Sequence, residues 1–154
     1  MRVAIALGSN LGDRRAALDA AVAALGGTLT SLAVSSYHDT APVGVDPSQP
    51  RYLNAAVAGS TTRSARALLG VLQEIEQRLG RERPFPNAPR TIDLDLVLYG
   101  PLIADEPDLT VPHPRFRARL FVLEPLAEVA ADMTDPVSGR SVRDLRDALR
   151  RAGR

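Results

Sequence analysis

Two carboxylates stand two residues apart in "APRTIDLDLVLYG" (88–100). The stretch reads as a strand, with Ile92, Leu94, Leu96 and Leu98 alternating onto one face. Asp93 and Asp95 fall on the other, where Val97 and Tyr99 continue the row. Asp is a poor strand former, so the pair calls for a reason. Residues i and i+2 of a strand share a face, at a rise of about 3.3 Å per residue, so both carboxylates reach one point outside the sheet. Hard cations such as Mg²⁺ take carboxylate oxygens in ones or twos and fill the remaining positions with water and substrate phosphate. The plain alternative is a solvated strand face.

Arginines stand close by in sequence. "GRERPFPNAPR" (80–90) brings Arg81, Arg83 and Arg90 to the strand's start, and "HPRFRAR" (113–119) sets Arg115, Arg117 and Arg119 beside His113. Guanidinium forks grip phosphate bidentately. Taken alone, the first group reads equally well as surface Arg pairing with Glu74, Glu76 and Glu82. Together with two carboxylates, they point to a bound polyphosphate and to phosphoryl transfer, where positioning and charge neutralisation dominate. Tyr52 and Asn54 share a strand face, an aromatic and an amide suited to a flat heterocycle, although an ordinary strand end explains them as well. "LGSNLGD" (7–13) is a strand-to-helix turn that either cradles phosphate or is simple turn chemistry. His38 lies mid-strand and reads as structural; His113, between two prolines near an Arg group, is the better functional candidate.

The elements that must position these groups follow from periodicity. "RVAIALGS" (2–9) is a short apolar run and a buried strand. "LGDRRAALDAAVAALGG" (11–27) places Leu18, Val22 and Leu25 at helical spacing before a Gly-Gly stop. "TLTSLAVSSYHDT" (28–40) and "YLNAAVAGST" (52–61) read as strands, separated by a loop (41–51) with three prolines. "RSARALLGVLQEIEQRLG" (63–80) aligns Leu68, Leu69, Leu72, Ile75 and Leu79 on one helical face. The order is β-α-β-β-α-β, so the expected class is α+β with a ferredoxin-like core. A Pro-rich, largely irregular stretch (101–120) leads into a C-terminal helical extension: a helix over 120–130 that Pro125 shortens or bends, and one over 141–153 opened by a Ser-x-x-Asp cap.

Composition narrows the field. The chain has 154 residues, 45% hydrophobic and 24% charged, which predicts a single domain spanning residues 1–154. Net charge is +1, without bulk attraction for nucleic acid or membrane. There is no Cys, which excludes thiolate nucleophiles and Cys-based zinc sites. There is no Lys either, since all 19 basic residues are Arg, which removes Schiff bases and a P-loop lysine. The opening apolar run "VAIAL" is too short for a signal peptide, and no stretch approaches the ~20 apolar residues of a membrane span, so a cytoplasmic protein is expected.

"GSN", "TAPVG", "YLNAAV", "PRTIDLDLVLYG" and "LTVPHPR", in this order, resemble the 6-hydroxymethyl-7,8-dihydropterin pyrophosphokinases of folate biosynthesis. The resemblance runs to about residue 130, and "PRTIDLD" followed by "VPH" is its most specific part. It implies transfer of the terminal diphosphate of ATP to the pterin hydroxymethyl oxygen, releasing AMP, by a monomer. It implies two Mg²⁺ ions on Asp93 and Asp95, with Arg81 and Arg83 also catalytic. The pterin would lie between Tyr52 and Phe121, its edge meeting Asn54 and the backbone of Thr40, Ala41, Pro42, Val43 and Gly44. ATP would meet Gln73, Glu76, Arg81, Arg83 and Arg90, and also Leu96, Thr110, His113 and Arg119. "GRERPFPNAPR" would close over both substrates.

Three rivals weigh less. Nucleotidyltransferases pair a Gly-Ser turn with Asp-x-Asp close in sequence, whereas Gly8-Ser9 and Asp93 are far apart. An RNA-binding module on this β-α-β-β-α-β order needs aromatics where "TIDLDLVLY" offers carboxylates. A small-molecule regulatory domain has no use for a metal pair.

Overall fold

The computed structural model describes residues 1–40, 51–80 and 92–153. Its elements in chain order are β1 (Arg2–Ser9), α1 (Arg14–Gly26), β2 (Thr30–Val34), β3 (His38–Thr40), β4 (Tyr52–Ser60), α2 (Ala65–Leu79) and β5 (Asp93–Tyr99). There follow β6 (Ala104–Glu106), β7 (Leu109–Val111), a 3₁₀ turn over Phe116–Ala118, α3 (Leu120–Ala130) and α4 (Val142–Ala152). The fold is mixed α and β, with an antiparallel sheet ordered β2-β4-β1-β5, to which β3 adds beside β4. None of the described helices is long and apolar enough to cross a membrane.

Strand alternation divides the core in two. Val3, Ile5 and Leu7 of β1 face Leu18 and Leu25 of α1 and Leu68, Leu72 and Ile75 of α2. Ala4 and Ala6 face the other way, with Ala56 and Ala58 of β4, and are covered by Val122, Leu123 and Leu126 of α3 and Val142 and Leu145 of α4. Small side chains on this second face matter, because part of it stays open beyond the helices. The helix ends follow their sequence signals: Asp13, Ser64 and Ser141 each accept a backbone N–H of the first turn, and Gly27, Gly80 and Gly153 close the far ends.

The structure corrects four expectations. The strand over 28–40 is two strands. Ser35 breaks it: its N–H bonds the carbonyl of Ala56 at 2.9 Å while its hydroxyl accepts the N–H of Ala56 at 2.8 Å, so a side chain replaces a ladder partner. The supposedly irregular 101–120 contains the β6–β7 hairpin, turned at Pro107-Asp108; three-residue strands are too short to show a period. Helix α3 runs unbroken through Pro125, which withholds the N–H that the carbonyl of Phe121 would otherwise receive.

The fourth correction lies in β5. Ile5 pairs with Leu96 but Ala4 pairs with Leu98, so Val97 is an extra residue, a β-bulge. Beyond it the alternation inverts. Leu98 packs with the α3–α4 side and Tyr99 with the α1–α2 side, the reverse of a regular strand. Asp93 and Asp95 precede the bulge and keep the face expected of them.

Candidate active site

A cleft of about 820 Å³ opens on the second sheet face, beside the first turn of α3. Its floor is made by Ala6 and Gly8 of β1, flanked by Tyr52 and Asn54 of β4 and by Asp93 and Asp95 of β5. Register explains the grouping. Gly8 pairs with Asn54 on one side and Asp93 on the other, and Ala6 pairs with Asp95. Two strand spacings separate Asn54 from Asp93, about 10 Å between backbones. The other wall is chain from 113 to 122, contributing His113, Arg115, Arg119 and Phe121.

Gly8 keeps the space beside Asn54 open. A Cβ there would lie 3.2 Å from the amide oxygen of Asn54. The missing side chain leaves a flat gap between Asn54 and Asp93, and a Gly inside a strand is the sequence sign of such a close approach. Asn54 is itself oriented: its amide nitrogen donates to the hydroxyl of Thr40, at the end of β3. That leaves the amide oxygen on the Gly8 side.

His113 is held by backbone and by burial. Its N–H bonds the carbonyl of the bulged Val97 at 3.0 Å, and its Nδ1 accepts the N–H of Arg115 at 3.1 Å. Burial lowers its pKa below the ordinary histidine value; Asp95 opposes this, and the cations of Arg119 and Arg115 add to it. At neutral pH the ring is therefore neutral, with its proton on Nε2, an uncharged donor. The guanidinium of Arg119 lies 5.5 Å from the ring centre of Phe121, a cation–π contact that orients both.

Asp93 and Asp95 are exposed on the floor. Among the described residues no third His, Cys, Asp or Glu joins them in a metal-binding cluster. Two carboxylates beside open space fit a cation that takes its remaining ligands from water and phosphate, which is the habit of Mg²⁺.

Of the residues singled out in the sequence, Thr40, Tyr52, Asn54, Asp93, Asp95, His113, Arg119 and Phe121 line this one cleft. Four others stand outside it. Gln73 is exposed on α2, Thr110 is exposed on β7, and Leu96 has its side chain in the α1–α2 core. Glu76 on α2 accepts the N–H of Leu94 at 2.9 Å, which ties α2 to the start of β5. Ala41, Pro42, Val43, Gly44, Arg81, Arg83 and Arg90 lie outside the described residues. Arg117 does not share the cleft with Arg115 and Arg119; it turns to Asp135. His38 does have a partner, Glu128 of α3, which also takes the N–H and hydroxyl of Ser36.

A carboxylate pair on one wall and arginines with a neutral histidine on the other suit phosphate esters or anhydrides. Residues 4–131 match the 7,8-dihydro-6-hydroxymethylpterin-pyrophosphokinase (HPPK) family, and the chain belongs to it. It is 46% identical over 127 residues to the 2-amino-4-hydroxy-6-hydroxymethyldihydropteridine pyrophosphokinase of Bacillus subtilis (strain 168), covering 81% of this chain and 75% of that one. Identity to the enzyme of the same name from Pseudomonas aeruginosa is 41% over 146 residues, covering 94% of this chain and 89% of that one. The fold is similar to that of Plasmodium falciparum HPPK-DHPS wild type, with a TM-score of 0.75 at 13% identity over 96% of this chain; the chain spans only 44% of that polypeptide, and the likeness is one of fold alone. The activity follows from the family: pyrophosphoryl transfer from ATP to hydroxymethyldihydropterin, in folate biosynthesis.

Proposed function

We propose that the cleft divides the two substrates between its ends, the pterin at Tyr52, Asn54 and Phe121 and the ATP phosphates between Asp93, Asp95, His113 and Arg119. The observation that carries this is the row Asn54–Gly8–Asp93, which sets a heterocycle-binding amide and a metal-binding carboxylate on either side of a glycine gap. Asn54 and the backbone of 40–44 read the pterin edge, and the rings of Tyr52 and Phe121 cover its faces. The hydroxymethyl group then points toward Asp93 and Asp95. Its oxygen attacks the β-phosphorus of ATP and gives up its proton to solvent, the bond from the α–β bridging oxygen to that phosphorus breaks, and AMP leaves with the electron pair.

Asp93 and Asp95 would hold two Mg²⁺ ions. Bound there, Mg²⁺ neutralises phosphate charge and polarises the oxygens it touches. Arg119 places fixed positive charge against the polyphosphate, and His113 donates from Nε2 without adding a charge. Arg81, Arg83 and Arg90 complete the set, with Arg81 and Arg83 acting on charge that develops toward AMP. Gln73, Glu76, Leu96 and Thr110, which stand outside the cleft, are given no part in this reading.

The sheet order read from its other edge, β5-β1-β4-β2, with antiparallel neighbours and α1 and α2 on one face, supports a ferredoxin-like β-α-β-β-α-β core. Helices α3 and α4 are its C-terminal extension, and the chain is one domain. The chain is proposed to work as a monomer in the cytoplasm, where ATP is supplied.

The test is two-substrate kinetics. Arg119→Ala is expected to raise KM for ATP and leave KM for the pterin, and Asn54→Ala the reverse. Defects falling on the opposite substrates would reverse the two ends of the cleft.

A further inference from the structure

The 3₁₀ turn Phe116–Ala118 carries the arginines of the cleft wall, yet has little of its own to hold it. Its internal bonds are two, Ala118 N–H to the Arg115 carbonyl and Arg119 N–H to the Phe116 carbonyl, at 3.1 and 3.2 Å. Two side chains fix it. Phe116 is fully buried, packed with residues of α3 and α4 beneath the cleft wall. Arg117 forks onto Asp135, Nε to one carboxylate oxygen and Nη2 to the other. Asp135 is itself inaccessible to solvent and also accepts the N–H of Val137 and both the N–H and hydroxyl of Ser138. It stands in the turn between α3 and α4, past the end of the segment that matches the family.

We infer that the Arg117–Asp135 pair is the positioning device for the nucleotide end of the cleft: it anchors the turn from behind so that Arg115 and Arg119, on either side of it, present their guanidinium groups to phosphate. Arg117 is then a positioning residue that touches no substrate. A planar fork held by both carboxylate oxygens fixes the rotation of the turn as well as its place, which a point charge does not do. A carboxylate buried with five donors has nowhere else to go, so the anchor does not yield when substrate pulls. The inference rests on the placement of ATP against Arg119 proposed above.

The experiment uses Arg117→Lys, Asp135→Asn, Arg119→Ala and the double variant Arg117→Lys/Arg119→Ala. Each is assayed for both substrates at a temperature where circular dichroism shows it folded. Arg117→Lys keeps a charge opposite Asp135 and is the variant that decides if Asp135→Asn does not fold. The expected result is a loss in kcat/KM for ATP of roughly tenfold for Arg117→Lys, with KM for the pterin unchanged. In the Arg119→Ala background the same substitution should cost less, because one of the two groups it acts through is already removed and only the effect on Arg115 remains. A folded Arg117→Lys with ATP parameters within about twofold of the parent overturns the inference. So do losses that fall equally on both substrates, or that multiply with Arg119→Ala. An Arg119→Ala variant with unchanged ATP kinetics instead defeats the placement of ATP itself.

Discussion

The backbone N–H of His113 donates to the carbonyl of Val97 at 3.0 Å. Val97 is the bulged residue of β5, so it has no opposite number in β1. The bulge thus lends the sheet edge a hydrogen bond that docks the start of the cleft wall two residues beyond Asp95. A histidine docked by backbone and kept neutral by burial is proposed to serve ATP as a donor. His113→Ala is expected to weaken ATP by roughly ten- to a hundredfold, the range for a hydrogen bond to a charged group. Pterin affinity should hold. Calorimetric titration with a non-hydrolysable ATP analogue, and separately with a pterin, checks both; equal losses would place His113 elsewhere.

Gly8 gives a prediction in which stability and activity part. Its backbone is extended within β1, so Gly8→Ala costs no backbone strain and restricts the unfolded chain, a gain of about 0.4–1 kcal/mol once the Asn54 amide shifts by a few tenths of an ångström. The new Cβ would sit 3.2 Å from the Asn54 amide oxygen, in the gap that the pterin is proposed to share. Gly8→Ala should melt no lower than the parent yet bind pterin more weakly, and Gly8→Val more weakly still. Thermal melts beside pterin titrations measure this. Undiminished pterin binding by Gly8→Val would mean that the gap is not used.

These residues show what the sequence could and could not disclose. Asp93 and Asp95 were legible because a strand with two carboxylates on one face contradicts local propensity, and such conflicts cluster at sites. The α1 and α2 helices were legible from spacing and caps. The inversion at Val97 was not, because a bulge leaves an ordinary apolar run unchanged and shows only in pairing. Arg117 and Arg119 are two residues apart and chemically identical in sequence; only the turn that buries Phe116 sends one to Asp135 and leaves the other in the cleft. The partner of His38 is Glu128, ninety residues away on α3, and no local pattern announces such a pair. Gly8 reads in sequence as the end of a strand and the start of a turn; that a Cβ there would meet the Asn54 amide shows only in the pairing of β1 with β4.

Asp135 carries a pH dependence whose sign is fixed. Burial alone would raise its pKa, but the bonds from Arg117, Ser138 and Val137 outweigh it and bring the group to about 2, from an ordinary 3.8. A carboxyl lowered on folding stabilises the fold above the unfolded value, and that contribution is lost as pH falls from about 3.8 through about 2. The shift corresponds to about 2 kcal/mol. Urea melts of the parent and Asp135→Asn should therefore differ clearly at pH 6 and converge toward pH 2. A constant gap across that window would show the difference to be packing, not charge.

The last prediction concerns the carboxylate pair. Asp95 is exposed on the cleft floor, opposite Ala6, and its charge is felt by His113 across the cleft. Asp95→Asn keeps the shape and removes one charge and one hard oxygen ligand. If the pair holds Mg²⁺ against the phosphates, turnover should fall by at least about a hundredfold, since metal-borne charge stabilisation is worth several kcal/mol. The fold should not suffer. An exposed carboxylate adds little to stability, and removing one of two like charges on the same strand face relieves repulsion. In EDTA, the melting temperature of Asp95→Asn should equal or slightly exceed that of the parent. With excess Mg²⁺ and ATP, the parent should gain more thermal stability than the variant, because a ligand that binds only the folded state raises its melting point. Near-normal turnover in Asp95→Asn would remove the metal from this position. Turnover lost together with a lowered melt in EDTA would make the aspartate an anchor of β5.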